Sequence, residues 1–277
     1  MEIPRRDVDL TFDPTTIPRD WAGGDPFMTT FLGALSLLFP EGEAFFVKSV
    51  KQHRHAVTDP ELATEVAGFI GQEAMHGKEH RAFNELLLAH GHTEAPRIEA
   101  RLQRFLKLVK RVLPPKSQLA VTCALEHFTA MLAEQLLRRP ELRDELDPRV
   151  RALWIWHALE EVEHKAVAFD VYRTAGGGYL RRVAIMILTT IVFFAVQSIV
   201  HVRLMARRRI LHKPWTWARG LTRMYLWPAF FVRLVPAYLS YFRPSFHPGD
   251  RDCASLLDRW RDELFGPAGT LAVRTAA

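Results

Sequence analysis

Two Glu-x-x-His sequences constrain the fold of this chain more than any other feature: Glu73 with His76, and Glu161 with His164. Each pair lies in a long stretch with helical periodicity, and residues three apart share one face of an α-helix. A face that carries a carboxylate and an imidazole is costly to bury unless these groups have partners. The two helices are therefore expected either to turn these faces to solvent or to share one polar site.

Two single glutamates complete a recognisable pattern. Glu43 lies in an apolar stripe with Phe39 and Phe46, so its burial calls for a metal ion or another neutralising partner. Glu126 has small neighbours at helical spacing, such as Thr122, which leave room for a cluster of side chains. Two Glu-x-x-His pairs and two single glutamates are the ligand set with which ferritin-like four-helix bundles hold two metal ions.

The order of these residues and their charge fit such a site. Thirty residues separate Glu43 from Glu73 and thirty-five separate Glu126 from Glu161, as in helical hairpins. The fifty residues between His76 and Glu126 leave room for a crossover helix. Four carboxylates balance two divalent ions. Mixed Glu and His ligands predict two iron ions, with manganese or zinc as alternatives, and the absence of Cys ligands argues against structural zinc.

His157 falls on the same helical stripe as Glu161 and His164. It is either a seventh ligand or a histidine that is hydrogen-bonded to a ligand carboxylate. His80, one turn beyond His76, either donates a hydrogen bond to a ligand side chain or is simply a polar neighbour of the site. Glu163 lies on the opposite face from Glu161, so its replacement is expected to leave metal binding unchanged. The predicted metal ligands are Glu43, Glu73, His76, Glu126, His157, Glu161 and His164.

Helix signals cover most of the chain, and no strand alternation is convincing. Asp59-Pro60 and Asp147-Pro148 predict helix starts, with Asp as the N-cap. A kink or restart is expected at Pro40 of the first helix. The stretch before Pro114 is amphipathic, as expected of a crossover helix outside the bundle. The helices are predicted over residues 27–56, 60–90, 98–113, 115–139 and 148–175.

Charge divides the chain into two parts. Residues 1–175 carry 22 Lys and Arg against 26 Asp and Glu, whereas residues 176–277 carry 15 against 5. No acidic residue lies between Tyr179 and Gly249, and the twenty residues 183–202 are uncharged. The aromatic and basic stretch 221–242 is typical of interfacial helices. This composition predicts attachment to a lipid surface rather than to nucleic acid, with a buried core helix as the alternative.

The predicted fold is all-α: a ferritin-like four-helix bundle with a crossover helix and a basic, apolar C-terminal region that associates with a membrane. The boundaries are an N-terminal arm over 1–26, the bundle over 27–177, the apolar basic region over 178–249, and a C-terminal helix and tail over 250–277. Only Cys123 and Cys253 are present, and residues 1–10 lack a secretory signal. We expect the protein to be located on the cytoplasmic side of the cell membrane, or in the cytoplasm.

Four segments carry a resemblance to a known family: FPEGEAFFV at 39–47, QEAMHGKEH at 72–80, LEHFTA at 125–130 and HALEEVEHK at 157–165. They resemble the bacterial family of predicted metal-dependent hydrolases, over about residues 5–250. The ligand order is also similar to that of di-iron arylamine N-oxygenases of the p-aminobenzoate N-oxygenase type. That second resemblance implies all seven predicted ligands, His157 included, but not the substrate, and the apolar basic region has no counterpart there.

Three functions remain open. The favoured one is a dimetal, di-iron oxidoreductase that uses O2 and an electron donor to oxidise an apolar or amphiphilic small molecule, because carboxylate-rich sites inside helical bundles are typical of oxygen chemistry. The first alternative is a metal-dependent hydrolase of an ester or phosphoester, which the family's description implies. The second alternative is a non-enzymatic, iron-binding membrane protein. The expected partners are thus a hydrophobic substrate, O2, an electron donor and a lipid surface, without nucleic acid.

Overall fold

The computed structural model describes residues 3–274, and within that range the chain forms helices without any β-strand. The all-α prediction is therefore confirmed for this part of the chain. The α-helices are α1 (Pro26–Gln52), α2 (Pro60–Ala89), α3 (Ala95–Val112), α4 (Pro115–Arg138), α5 (Pro140–Arg143), α6 (Pro148–His164), α7 (Val167–Thr174), α8 (Tyr179–Arg207), α9 (Pro214–Tyr225), α10 (Val235–Ser240) and α11 (Ala254–Phe265).

Asp-Pro pairs begin three of the long helices. The side chains of Asp59 and Asp147 accept hydrogen bonds from backbone N–H groups at the starts of α2 and α6, as predicted. A third pair, Asp25-Pro26, caps α1 in the same way. This pair starts α1 one residue before the predicted boundary, and the helix then continues through Pro40 without a restart.

One predicted helix is divided in the structure. The helix expected over 148–175 ends at His164, and α7 begins only at Val167. At this break, Lys165 turns towards the C-terminal segment and its Nζ donates to the carbonyl of Arg251 at 2.8 Å. The stretch 221–242 contains the end of α9 and all of α10, which irregular backbone and a 3-10 turn separate. Helical periodicity marks neither interruption.

Four helices surround the polar centre of the molecule. α1 packs along α2, α4 packs along α6, and α1 also contacts α4 while α2 contacts α6. Two apolar clusters fill the space on either side of this centre. Phe39 and Leu159 belong to one cluster, and Phe45 and Phe69 belong to the other. The residues between them along each helix, including Glu43, are thereby enclosed on both sides by apolar side chains.

The N-terminal arm lies across α2. The close approach requires Gly68, because a Cβ atom there would stand 2.3 Å from the carbonyl oxygen of Ile3. Val8, further along the arm, forms an isolated antiparallel bridge with Val273. The two ends of the described chain therefore meet over the same helices that enclose the polar centre.

α8 packs against α1 and α4 along one side only. Gln197 and His201 point inward and contact the carbonyl oxygens of Phe31 and Phe27, at 2.9 and 3.2 Å. Among the described residues, α1 and α8 are the helices long and apolar enough to cross a membrane. The most apolar part of α1 is 67% buried, as in a core helix, whereas that of α8 is only 22% buried.

Candidate metal centre

The structure brings all seven predicted ligands into one buried cluster. Glu43 comes from α1, Glu73 and His76 from α2, Glu126 from α4, and α6 supplies the remaining three. None of the seven is more than 4% exposed. Successive turns of each helix place these side chains on its inner face, as the three-residue and four-residue spacings predict.

The cluster divides into two groups with the geometry of metal sites. One group is Glu43, His76 and His157, and the other is Glu73, Glu161 and His164. In each group the three candidate ligand atoms lie within 4.8 Å of one another. Glu126 adjoins the second group, with its Oε2 3.4 Å from Nε2 of His164. The described residues thus offer two candidate metal sites side by side.

Glu161, a member of the second group, also lies close to the histidines of the first group. Its Oε1 accepts a hydrogen bond from Nε2 of His157 at 2.9 Å. The same oxygen lies 3.5 Å from Nδ1 of His76 and 3.7 Å from Nε2 of His164. One carboxylate oxygen therefore faces imidazoles of both groups, which is the position of a carboxylate shared by two ions.

The donor atoms fit metal ions because protein atoms leave them unsatisfied. Both carboxylate oxygens of Glu43, Glu73 and Glu126 are buried without a hydrogen-bond partner among the described residues. The same holds for Oε2 of Glu161 and Nδ1 of His76. Buried polar atoms normally have partners, and leaving one unpaired costs about 1–3 kcal/mol or more. Cations coordinated by these oxygens and nitrogens would remove that cost at all these atoms together.

Without cations, the cluster has strongly perturbed acidities. Burial, followed by repulsion from neighbouring carboxylates, raises the pKa of Glu43 and Glu73 well above the usual range. Burial and the charge of Glu161 raise the pKa of Glu126 to about 7. Burial opposes ionisation of Glu161 as well, but His164 and His157 outweigh it and hold its pKa well below the usual range. Protons thus occupy carboxylates where cations would otherwise balance the charge.

Each of the three histidines has one ring nitrogen close to a side chain that is not among the seven predicted ligands. Nδ1 of His164 donates to Oε1 of Gln72 at 2.9 Å. His157 shares a hydrogen bond of 2.7 Å between its Nδ1 and Nε2 of His80. Nε2 of His76 lies 3.0 Å from Oε2 of Glu160 without the alignment of a hydrogen bond. Such partners fix the orientation and tautomer of metal-binding imidazoles. The opposite nitrogen of each ring could then bind an ion, which at His157 would replace the proton that Nε2 donates to Glu161.

A buried ion-pair network lies behind these partners. Arg6 of the N-terminal arm donates to Glu160 at 2.9 Å and to Glu163 at 2.7 and 2.9 Å. Glu163 also accepts from Gln72 at 2.8 Å and from Arg261 of α11 at 2.7 Å. Glu163 does lie on the face of α6 opposite Glu161, but its contacts with Arg6, Gln72 and Arg261 bear on the expectation that its replacement leaves metal binding unchanged, which stays untested. Its carboxylate is fully buried and connects, through Gln72, to His164 of the cluster.

Sequence reasoning missed Glu160, Gln72 and Arg6 as parts of the site. The sequence does contain a signal that Glu160 is buried, because α6 carries apolar residues on every side. The structure accordingly buries every residue of α6 from Leu153 to His164. A helix that is apolar all round has no solvated face, so each charged residue on it needs a partner. Nothing in the local pattern identifies that partner as Arg6, which is 154 positions away from Glu160.

A mainly apolar cavity of about 160 Å³ reaches the cluster from the side of α1, α3, α4 and α8. Glu43 and the neighbouring Phe39 and Phe46 form its inner end. A smaller cavity of about 60 Å³ lies beside His157 and Glu161 and also contacts Phe39. Apolar space therefore adjoins the candidate metal sites on two sides.

The fold and the site define a class, that of helical proteins with a buried Glu/His metal centre. A family model described as "Predicted metal-dependent hydrolase" matches residues 4–252, nearly the whole chain, and the chain belongs to that family. The resemblance to predicted metal-dependent hydrolases that the four sequence segments carry is thereby confirmed. No curated protein and no solved structure matches the chain.

Proposed function

We propose that this protein is a di-iron oxidoreductase that uses O2 to oxidise an apolar or amphiphilic substrate. In this proposal α1, α2, α4 and α6 are a ferritin-like four-helix bundle and α3 is its crossover helix. The observation that carries the proposal is the buried set of seven Glu and His side chains, arranged in two groups around Glu161. This donor set, on four inward-facing helices, suits a pair of iron ions.

The chain's own residues would hold and orient the ions. Glu43, His76 and His157 would bind one ion, while Glu73, Glu126 and His164 would bind the other, with Glu161 between them. A bound pair of ferrous ions would supply electrons to O2. Insertion of one oxygen atom into a C–H bond, with reduction of the other to water, consumes two electrons and two protons from an external donor. The apolar walls of the two cavities would exclude bulk water from this reaction.

A metal-dependent hydrolase is the second candidate, and the family's description favours it. Our preference for the oxidoreductase rests on the lining of the cavity of about 160 Å³ that reaches the cluster. Besides Glu43, the polar side chains that line this cavity are Thr129 and Thr189. Recognition of an ester or phosphoester requires placed polar or charged groups around its oxygen atoms. The cavity instead suits a substrate whose reacting part is apolar.

We also propose that the region 178–249 attaches the protein to the cytoplasmic surface of a membrane. α8 has a largely exposed apolar side that includes Leu180 and Ile191, at 80% and 64% exposure. Trp215 and Trp227 extend this surface at 84% and 67% exposure. The absence of acidic residues from Tyr179 to Gly249 adds attraction to anionic lipid.

Rapid mixing with O2 separates the oxidoreductase from the hydrolase. Protein loaded anaerobically with ferrous iron should react with O2 within seconds and give a transient visible absorption. The same protein loaded with zinc should show none, because zinc has no accessible redox change. Inertness of the ferrous protein to O2, together with anaerobic turnover of generic esters or phosphoesters by the zinc form, would establish the hydrolase instead.

A further inference from the structure

We propose that the cavity between α1, α3, α4 and α8 binds the alkyl chain of a single-chain anionic amphiphile, such as a medium-chain fatty acid. Its head group would remain at the basic outer side of α3, and its buried chain would lie beside Glu43. As the identity of a substrate this rests on the proposed function, but binding of the amphiphile itself does not require turnover.

The chemistry of the walls selects a hydrocarbon. Leu, Val and Phe side chains from four helices form nearly all of the lining, with Thr129, Thr189 and Glu43 as the polar exceptions. The hydroxyl of Thr129 donates to the backbone carbonyl of Glu126 and is thus already satisfied. Apolar cavities of about 150 Å³ stay dry and bind apolar molecules. A cavity of about 160 Å³ with these walls has the same preference.

The cavity reaches the molecular surface between α3 and α8. Two of its lining side chains, Phe105 of α3 and Leu188 of α8, are 38% and 48% exposed. α3 is anchored at its start, where Ala95 and Ile98 are its buried residues. The rest of the helix lies over the cavity as a partly exposed cover. An alkyl chain can therefore enter between α3 and the apolar side of α8.

Positive charge surrounds this side of α3. Lys107 and Lys110 directly follow Leu106 and Val109, which line the cavity. Desolvation, followed by repulsion from Lys48 of α1 and from Lys107, lowers the pKa of Lys110, so these ammonium groups lie close enough to interact. The nearby carboxylate of Glu41 offsets part of this charge. An anionic head group would relieve the remaining repulsion, which a neutral alkane would not.

The inner end of the cavity decides which atoms of the ligand approach the metal centre. Glu43 lines the cavity and also belongs to the first metal group. With the head group outside, a C–H bond of the buried chain, rather than the carboxylate, would lie next to Glu43 and hence to ions held there. Its oxidation to an alcohol uses O2, two electrons and two protons and releases one water, with the electron donor of the proposed function as reductant.

A larger side chain at position 42 should fill the cavity. Gly42 lines the cavity, and a Cβ atom at this position would meet nothing within 4 Å. Gly42→Phe should therefore fill the space with a ring, whereas Gly42→Ala adds one methyl group and favours the helix slightly. Val192→Trp would fill the same cavity from α8 and serves as a second variant if Gly42→Phe changes the circular dichroism spectrum.

The test is photo-crosslinking of full-length protein in phospholipid vesicles with an 8-carbon fatty acid that carries a diazirine near its methyl end. Peptides that contain Val121 and Leu125, on the cavity wall, should be labelled in the wild type and in Gly42→Ala. We expect labelling to fall at least tenfold in Gly42→Phe, and severalfold in Lys107→Glu/Lys110→Glu. Metal content should stay unchanged in all variants, which separates this result from the test of the oxidoreductase.

Two outcomes would overturn the proposal. The first is labelling confined to the exposed side of α8, at the same level in the wild type and Gly42→Phe. The second comes from matched probes, the methyl ester of the same acid and a two-chain phospholipid with the same diazirine. Stronger cavity labelling by either probe than by the free acid would show that a single anionic chain is not the ligand. A ferrous protein inert to O2 would leave a positive labelling result standing.

Discussion

At the scale of single residues, Glu161 connects the two halves of the candidate centre. Its Oε1 lies within 3.7 Å of nitrogen atoms from His76, His157 and His164. Glu161→Ala removes the carboxylate shared by both groups, so it should lose most of its metal. Elemental analysis of purified protein measures this, with Glu85→Ala, an exposed position of α2, as the matched control. Equal metal content in the two variants would contradict the shared role.

A second prediction concerns Glu163, which binds no ion itself. Its carboxylate holds Gln72, and Gln72 accepts a hydrogen bond from His164. Groups that orient a metal-binding histidine typically change metal affinity by about 10–100-fold. Glu163→Ala should therefore weaken metal binding within that range, as measured by competition with a chelator of known affinity. An unchanged affinity would mean that Gln72 keeps its position without Glu163.

The third prediction is a dependence of stability on pH. Burial raises the folded-state pKa of Glu126 to about 7 and that of Glu160 to about 8, both above the ordinary value of 4.5. Each of these two carboxyl groups therefore contributes stability that is lost as pH rises through its folded-state pKa. Buried histidines with a lowered pKa, such as His127 and His201, act in the opposite direction, but only below the ordinary histidine pKa of 6.5, where they are protonated in the unfolded chain. The melting temperature of metal-free protein should thus decrease from pH 7 to pH 9.

The same experiment on metal-loaded protein provides the control for the pH effect. Ions would replace protons at Glu126, so the loaded protein should show a smaller decrease over this range, with Glu160 supplying the remainder. Metal affinity should rise over the same range, because binding displaces protons from raised carboxyl groups. A melting temperature of the metal-free protein that increases steadily from pH 7 to pH 9 would contradict the assignment of raised pKa values to these residues.

At the scale of helices, spacing along the sequence predicted which faces turn inward but not what covers them. The three-residue spacing of Glu73 and His76 was enough to place both on one face of α2, where the structure has them. The burial of Glu163 was not predictable, because it depends on Arg6 and Arg261, which approach from the two ends of the chain. Contacts this distant in sequence leave no periodic pattern in α6.

Helix ends show the same limit. Asp59 and Asp147 begin helices as predicted, because N-capping is a local interaction. The end of α6 at His164 was missed, because Lys165 and Ala166 keep right-handed helical backbone angles and no capping residue marks the break. The candidate metal site depends on both local and distant features. Its residues could be predicted from local spacing, whereas the position of Glu161 next to both groups follows from the packing of α2 against α6.

The apolar side of α8 and the segment after it give a fourth prediction. Full-length protein should sediment with membranes and resist a high-salt wash, because apolar burial is insensitive to salt screening. Ile191→Glu combined with Trp215→Glu places two charges on this exposed apolar surface and should shift the protein into the soluble fraction. Ala67→Glu combined with Ala82→Glu, at exposed positions of α2, is the control with the same added charge.

The fractionation has a clear contrary outcome. If the wild type remains in the soluble fraction at low salt, the exposed apolar side of α8 is not a membrane-binding surface. If the wild type sediments but a salt wash releases it, attraction between basic residues and anionic lipid dominates over apolar burial. The second result would point to the Arg residues of α8 and α9 as the main contacts, with little contribution from Ile191 and Trp215.

At the scale of the whole molecule, the polar centre joins parts that are far apart in sequence. Four helices contribute candidate ligands, the arm contributes Arg6, and α11 contributes Arg261. The two apolar clusters lie on either side of this centre. Ions bound there would cross-link all four helices at once. The stability of the entire helical body, rather than of one element, should therefore depend on the metal.

Removal of the metal gives the last prediction. Ions that bind the folded but not the unfolded chain stabilise it by about 4 kcal/mol when present at about a thousandfold excess over Kd. For a chain of this size, that corresponds to a loss of roughly 10 °C in melting temperature after chelation. Scanning calorimetry should show one cooperative transition moving downward and returning when ferrous or manganous ions are restored. Glu161→Ala should melt at the lower temperature with or without chelator, because its centre cannot hold the ions. An unchanged transition in wild-type protein, after elemental analysis confirms that the metal is gone, would mean that packing of the two apolar clusters alone holds the four helices together.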